Sequence, residues 1–154
     1  MEVRSSLTPR LKNLRLSGIL ETLDVRNREA IEAKCSYVEF LDRLLEDEVE
    51  RRGQKQLSLR LRRSNLDPKK TLEAFDFSFN PAVNRQQVYD LATCSFVERA
   101  ESVFLVGPAG VGKSHLAHAL GHEACRRGFD VVFARTSGML AHLHGGRADG
   151  TYER

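Results

Sequence analysis

Residues 102–128 constrain this chain more than any other stretch. Ser102-Val103-Phe104-Leu105-Val106 is a short apolar run of buried-strand type. Gly107-Pro108-Ala109-Gly110-Val111-Gly112-Lys113-Ser114 follows at once and fits the spacing G-x-x-x-x-G-K-[ST]. A helix is then predicted from Lys113 towards Arg127, stopped by Gly128. Each residue type has a physical reason. Glycines let backbone N–H groups point inward and approach phosphate oxygens closely. The helix that follows adds free N–H groups and the positive end of its dipole. Lys113 can reach the β- and γ-phosphates as a compact cation. The Ser114 hydroxyl suits the Mg²⁺ that bridges those phosphates. The octet therefore predicts a site for a nucleoside triphosphate with Mg²⁺. Its ligands would be Gly107, Pro108, Ala109, Gly110, Val111, Gly112, Lys113 and Ser114. Asp130-Val131-Val132-Phe133-Ala134 reads as a second strand. Strand, loop, helix, strand predicts the opening of a parallel α/β sheet.

Hydrolysis asks for more than this loop. An acidic residue at the end of a second buried strand would have to hold Mg²⁺ and orient water. Asp149 and Glu153 follow glycine-rich polar sequence and not an apolar run. No catalytic residue is therefore assigned, and hydrolysis by this chain is expected to be absent or negligible.

The first 66 residues read as a helical module. Thr8-Pro9 looks like an N-cap with proline at the first helical position. Leu7, Leu11 and Leu14 open an apolar stripe that Leu16, Ile19, Leu20 and Leu23 continue past Gly18, in a helix extended by polar residues to Lys34. Ser36 and Glu39 form a capping box at the start of a second helix. Tyr37, Phe40, Leu41, Leu44, Leu45 and Val49 are expected on its buried face. Asp47 with Arg51 and Glu48 with Arg52 are spaced for i,i+4 pairing. Helical spacing resumes beyond Gly53 to Leu61, and Asn65-Leu66-Asp67-Pro68 marks a boundary. Residues 67–154 form the second predicted domain. Phe75, Phe77 and Phe79 alternate with polar residues as in an extended segment, suited to the core or to the side of a base-stacking pocket. Asn80-Pro81 signals a turn. Helices are expected over about Val83 to Ala92 and Cys94 to Ala100. The glycine-rich last 20 residues carry weaker signals.

Charge is unevenly spread. The net formal charge is +3, yet residues 39–50 hold six acids and one base, and residues 51–70 hold eight bases and one acid. Arg51, Arg52, Lys55, Arg60, Arg62 and Arg63 could neutralise DNA phosphates, although a solvated helix face is the ordinary fate of such a run. Cys35, Cys94 and Cys125 are too few and too scattered for a disulfide framework or paired zinc spacing. His115, His118 and His122 share one helical face. They lack the glutamate of a zinc-protease helix, so packed or hydrogen-bonded histidines are expected. No apolar run reaches membrane-spanning length and the opening residues hold no signal-peptide core, so a cytoplasmic protein is expected.

Thr71-Leu72-Glu73-Ala74-Phe75-Asp76-Phe77, the run Phe104–Ala117, Ala119-Leu120-Gly121-His122-Glu123-Ala124 and Gly128-Phe129-Asp130-Val131-Val132-Phe133 resemble the IstB-like ATP-binding proteins. These are helpers of insertion-sequence transposases, related to the DnaC helicase loaders within the AAA+ group. Tyr37-Val38-Glu39-Phe40-Leu41 and the N-terminal leucine stripe look like the family's too. The resemblance covers essentially the whole chain. It implies a helical N-terminal module that contacts DNA and self-assembles into a homo-oligomer, joined to a P-loop AAA+ domain that binds ATP, with a cognate transposase as partner. Gly107, Gly110, Gly112, Lys113 and Ser114 carry over as nucleotide ligands, and the trailing His115 belongs to the same signature. Ser114 stands where threonine is more usual and keeps the hydroxyl. The sequence stops before the family's acidic Mg²⁺ strand, polar sensor and completing arginine, as expected of a truncated copy. A DnaC-like helicase loader, and a DNA-binding or interaction module with a vestigial loop, are alternatives that share these motifs.

Overall fold

The structure, a computed structural model, describes residues 2–149. They fall into two compact units that meet in sequence between Ser58 and Leu59.

The first unit holds α1 (Glu2–Asn13), α2 (Ser17–Glu32) and most of α3 (Tyr37–Arg63). The single helix expected from Thr8 to Lys34 is in fact two. Arg15 adopts φ 56, and the Leu16 N–H donates to the Leu11 carbonyl at 2.9 Å. This is the left-handed closure of a helix C-terminus, usually built on glycine. Lys34 at φ 50 closes α2 in the same way, with Cys35 N–H donating to the Ala30 carbonyl at 3.0 Å. Pro9 lies inside α1 and does not start it. Proline removes its own amide from the ladder, but Leu7 and Leu11, both half-buried, carry the helix past it.

The capping box forms as its sequence requires. Ser36 N–H donates to Glu39 Oε2 at 2.7 Å, and Glu39 N–H donates to Ser36 Oγ at 3.2 Å. The Ser36 amide and hydroxyl hold the Glu39 carboxyl below its ordinary pKa. Gly53 leaves α3 unbroken to Arg63.

Gly18 has a purpose that its low helix propensity hides. A Cβ there would lie 2.8 Å from Glu48 Cα and 2.9 Å from the Asp47 carbonyl oxygen. Only glycine lets α2 approach α3 so closely, and the Gly18 N–H then donates to Glu48 Oε2 at 2.6 Å. Burial alone pushes the Glu48 carboxyl up. Arg52, at 2.7 Å, and the Gly18 and Ile19 amides outweigh it and leave the pKa below the ordinary value.

The buried face expected on α3 is narrower than its leucines suggested. Leu44 is buried and Phe40 half-buried, but Leu41 and Leu45 are exposed, Val49 is 70% exposed and Tyr37 94% exposed. The contacts that α3 receives in this unit come from one side, where α2 meets it at Gly18–Glu48, Arg26–Asp47 and Glu21–Arg51. The Glu48–Arg52 pair forms, whereas Asp47 pairs with Arg26 at 2.7 Å and Arg51 with Glu21 at 3.0 Å. Arg26 grips the Asp47 carboxylate with two hydrogen bonds, from Nε at 2.9 Å and Nη2 at 2.7 Å.

The second unit contains α4 (Arg85–Ala92), α5 (Ser95–Glu98), α6 (Lys113–Arg126) and α7 (Thr136–Asp149). Asn84 caps α4 by accepting from Gln87 N–H at 3.1 Å. Leu116, Ala119 and Leu120 present one stripe of α6 to Val88 and Ala92 of α4 and to Leu72. Phe75, Phe77, Val83, Leu91 and Leu105 close around this core. The 71–84 connector is a series of turns and not an extended run. Phe75 and Phe77 reach the core from it, and Phe79 is exposed.

The two predicted strands are extended but unpaired: among the described residues no strand ladder forms. Val103 and Leu105 are half-buried, while Phe104 is 84% and Val106 91% exposed. Val131 and Phe133 are half-buried and Val132 is exposed. That two-residue alternation is a strand's. One face of each segment is covered, where burial on both faces was expected. A strand assignment needs a neighbour to accept its backbone bonds. The Phe133 N–H donates instead to the Ser64 carbonyl at 2.7 Å. The glycine-rich tail forms α7 as far as Asp149, and Glu153 lies outside the described residues.

Candidate nucleotide site

The octet 107–114 stands between the extended segment and α6, as the spacing requires. Gly112 is the N-cap of α6, at φ 92 and ψ 5. A Cβ on it would fall 2.8 Å from Phe75 Cε2. Both its backbone angle and its neighbour therefore demand glycine. Gly110 also has positive φ, at 82, but open space around it. The Leu116 N–H donates to the Gly112 carbonyl at 2.9 Å. Earlier amides of the first turn, those of Lys113, Ser114 and His115, are the donors a helix leaves free.

Lys113 is half-buried, and its ammonium donates across the loop to the Pro108 carbonyl. Its charge thus sits over the concave side of the octet. Ser114 is exposed at the loop's end. Beside the loop lies a cavity of about 600 Å³, lined by Gly107, Pro108, Val111 and Lys113 and by Val83, Asn84 and Gln87 of the α4 start. Its size suits a nucleotide-sized ligand.

His115 is occupied elsewhere. Its Nε2 lies 2.9 Å from the Thr71 carbonyl, and its ring meets Phe75 edge-on at 5.2 Å. Its backbone amide remains at the helix N-terminus. His118 and His122 are buried and hydrogen-bonded to the Asp67 backbone. Among the described residues no cluster of histidine, cysteine or acidic groups is placed to hold a metal ion. Of the residues that seat the loop, sequence reasoning missed the roles of Asp67 and Thr71, with only the turn signal at Asp67-Pro68 pointing towards them; Phe75, expected in the core or beside a base-stacking pocket, packs on the core and lies against Gly112.

The six basic candidates divide. Arg51 and Arg52 are in ion pairs, and Arg60 lies 3.8 Å from Asp130 in the second unit. Lys55, Arg62 and Arg63 are exposed. Lys55, Arg51 and Arg52 border a cleft of about 560 Å³ in the first unit, together with Lys12 and Arg15. Those last two cations were not singled out by the sequence, because the turn that brings them there closes on a non-glycine residue.

A glycine loop that turns through a left-handed residue into a helix, with a lysine folded over it, defines a P-loop nucleotide-binding domain. Comparison with known proteins narrows the class. Residues 9–154 match the family model described as IstB-like ATP binding protein. A Mycobacterium tuberculosis protein, named as an ATP-binding protein in an insertion sequence, is 47% identical over 139 residues, 90% of this chain and 55% of its own length. The ATP-binding protein of insertion sequence IS21 from Pseudomonas aeruginosa is 40% identical over 148 residues, 96% of this chain and 55% of its own. One from Geobacillus stearothermophilus is 35% identical over 119 residues, 77% of this chain and 47% of its own. The chain belongs to the IstB-like ATP-binding protein family. It spans about half the length of the curated relatives it matches. Among the described residues no helix is long and apolar enough to cross a membrane.

Proposed function

We propose that this chain binds ATP·Mg²⁺ through residues 107–115 and serves, in the cytoplasm, as a helper of an insertion-sequence transposase. The observation that carries the reading is the union of Gly112, Lys113 and the α6 N-terminus around one concave loop. Backbone N–H groups of 110–115 would cradle the phosphates. Lys113 would exchange the Pro108 carbonyl for phosphate oxygens, and Ser114 would hold Mg²⁺. The extended segments at 102–106 and 130–134 are read as strands of a parallel AAA+ sheet. The relatives are named as ATP-binding proteins of insertion sequences, which favours transposition over helicase loading.

DNA contact is assigned to the basic cleft of the first unit, where Lys12, Arg15 and Lys55 stand beside Arg51 and Arg52. Arg62 and Arg63, exposed in the second unit, are separate candidates for phosphate contact. Self-association is the remaining part of the reading, supported by the exposed apolar stripe Tyr37, Leu41, Leu45 and Val49. Titration of Mg·ATP against wild type and Lys113→Ala tests the nucleotide site. Duplex DNA binding at several salt concentrations tests the cleft. Three to five phosphate contacts give a log–log salt slope of about −3 to −5. Lys55→Ala with Arg15→Ala should reduce that slope by about two, and an unchanged slope removes the cleft from the reading.

A further inference from the structure

The three histidines of α6 do not play equivalent parts. Asp67 N–H donates to His118 Nδ1 at 3.1 Å. That bond needs the lone pair on Nδ1, and so a ring unprotonated there. His115 Nε2 and His122 Nε2 face the carbonyls of Thr71 and Asp67, each at 2.9 Å. A carbonyl only accepts, so both nitrogens carry hydrogen, in the neutral or the charged ring alike. The His118 bond alone is therefore lost when the ring gains a proton, because an N–H would then face an N–H.

What this clasp holds is the connector that seats the loop. Asp67 and Thr71 are fastened to α6, and the chain continues into Leu72 of the core and Phe75. The Phe75 ring lies against Gly112, where a Cβ would approach it to 2.8 Å. It is braced edge-on by Phe77 at 4.9 Å and His115 at 5.2 Å. His118 itself is buried, stacked on Phe133 at 3.8 Å between centroids. The charged and titratable groups facing it are Asp67 and Lys70 on the connector and His115 and His122 on its own helix. Phe133, on the extended segment, presents no charge.

We propose that His118 is a positioning residue for the nucleotide loop: its neutral ring holds the 67–75 connector, and through Phe75 the geometry of Gly112, so that protonation loosens the loop and weakens ATP binding. Burial disfavours the charged ring, Lys70 adds to this, and Asp67 opposes it, leaving the pKa below the ordinary 6.5. The folded protein thus binds this proton less readily than the unfolded chain. The stability tied to the bond is present above pH 6.5 and is lost as pH falls below it.

The inference rests on the ATP reading, and the test separates the two. Mg·ATP affinity is measured between pH 7.5 and 5 for wild type and for His118→Asn, whose Oδ1 can accept the Asp67 N–H without titrating. The terminal phosphate of ATP titrates in a similar range, so the ratio of the two proteins is the readout. Normalised to its value at pH 7.5, the ratio should turn increasingly against wild type as pH falls below 6.5, by no more than roughly tenfold per pH unit, the one-proton limit. Parallel pH curves overturn the proposal. In the absence of nucleotide, the Gly112 amide resonance should move with the His118 titration in wild type and not in His118→Asn. A Gly112 resonance indifferent to that titration also overturns it. Failure of both proteins to bind ATP at any pH, with the Gly112 response intact, refutes the ATP reading and leaves the clasp standing.

Discussion

Replacing Gly112 by alanine places a methyl group where the fold has left no room. Two costs add. The residue sits at φ 92, and a Cβ in left-handed backbone costs about 1–2 kcal/mol. The methyl would also fall 2.8 Å from Phe75 Cε2 and 3.2 Å from its Cζ. Phe75 is held between Phe77 and His115 and has little freedom to retreat, so overpacking adds about 1–3 kcal/mol. Gly112→Ala should therefore cost roughly 2–5 kcal/mol in urea unfolding. Gly110→Ala is the internal control. Its φ is 82, but no atom lies within 4 Å of the added Cβ, so the backbone term of about 1–2 kcal/mol stands alone. Adding Phe75→Leu to Gly112→Ala should recover part of the difference, because the shorter side chain relieves the contact. Equal costs for the two glycines, or no recovery in the double variant, would refute the claim that Phe75 packs beneath the loop.

Gly18→Ala should destabilise the first unit by about 1–3 kcal/mol through overpacking alone, since its Cβ meets the α3 backbone at Glu48 Cα and the Asp47 carbonyl as well as the Glu48 carboxylate, and the backbone cannot swing away; unfolding followed by helical circular dichroism measures it, and a neutral result removes the close crossing. Asp47 is held down to about 2 from 3.8 by its hydrogen bonds with Arg26, its largest influence, and with Thr22. Its carboxylate contributes stability above pH 3.8, which is lost as pH falls towards 2. Asp47→Asn should therefore be less stable than wild type at neutral pH and match it near pH 2, and acid titrations of both proteins check this.

The parts of this fold that were legible in the sequence are those fixed by local chemistry. Glycine spacing and a following helix located residues 107–126, and a serine with a glutamate three residues on located the start of α3. The hydrogen-bonded reading of the three α6 histidines holds for each of them. Non-local partners were not legible. Arg15 and Lys34 end helices in a conformation that glycine usually marks, so two helices looked like one. Tyr37, Leu41, Leu45 and Val49 have core spacing, but nothing local says that no element of this unit covers them. The apolar runs at 102–106 and 130–134 carry strand character, and strand pairing depends on segments that their own residues do not specify. Phe75 looked like one of three alternating aromatics. Its place beneath Gly112 comes from the connector that the histidines hold.

The central claim is that the octet binds nucleotide, and calorimetric titration of Mg·ATP into wild type and Lys113→Ala tests it most directly. Saturable binding by wild type, weakened at least about tenfold in the variant, is the result expected from losing a charge-assisted contact of about 1.5–3 kcal/mol. Equal and negligible binding by the two proteins would contradict the account and make the loop vestigial.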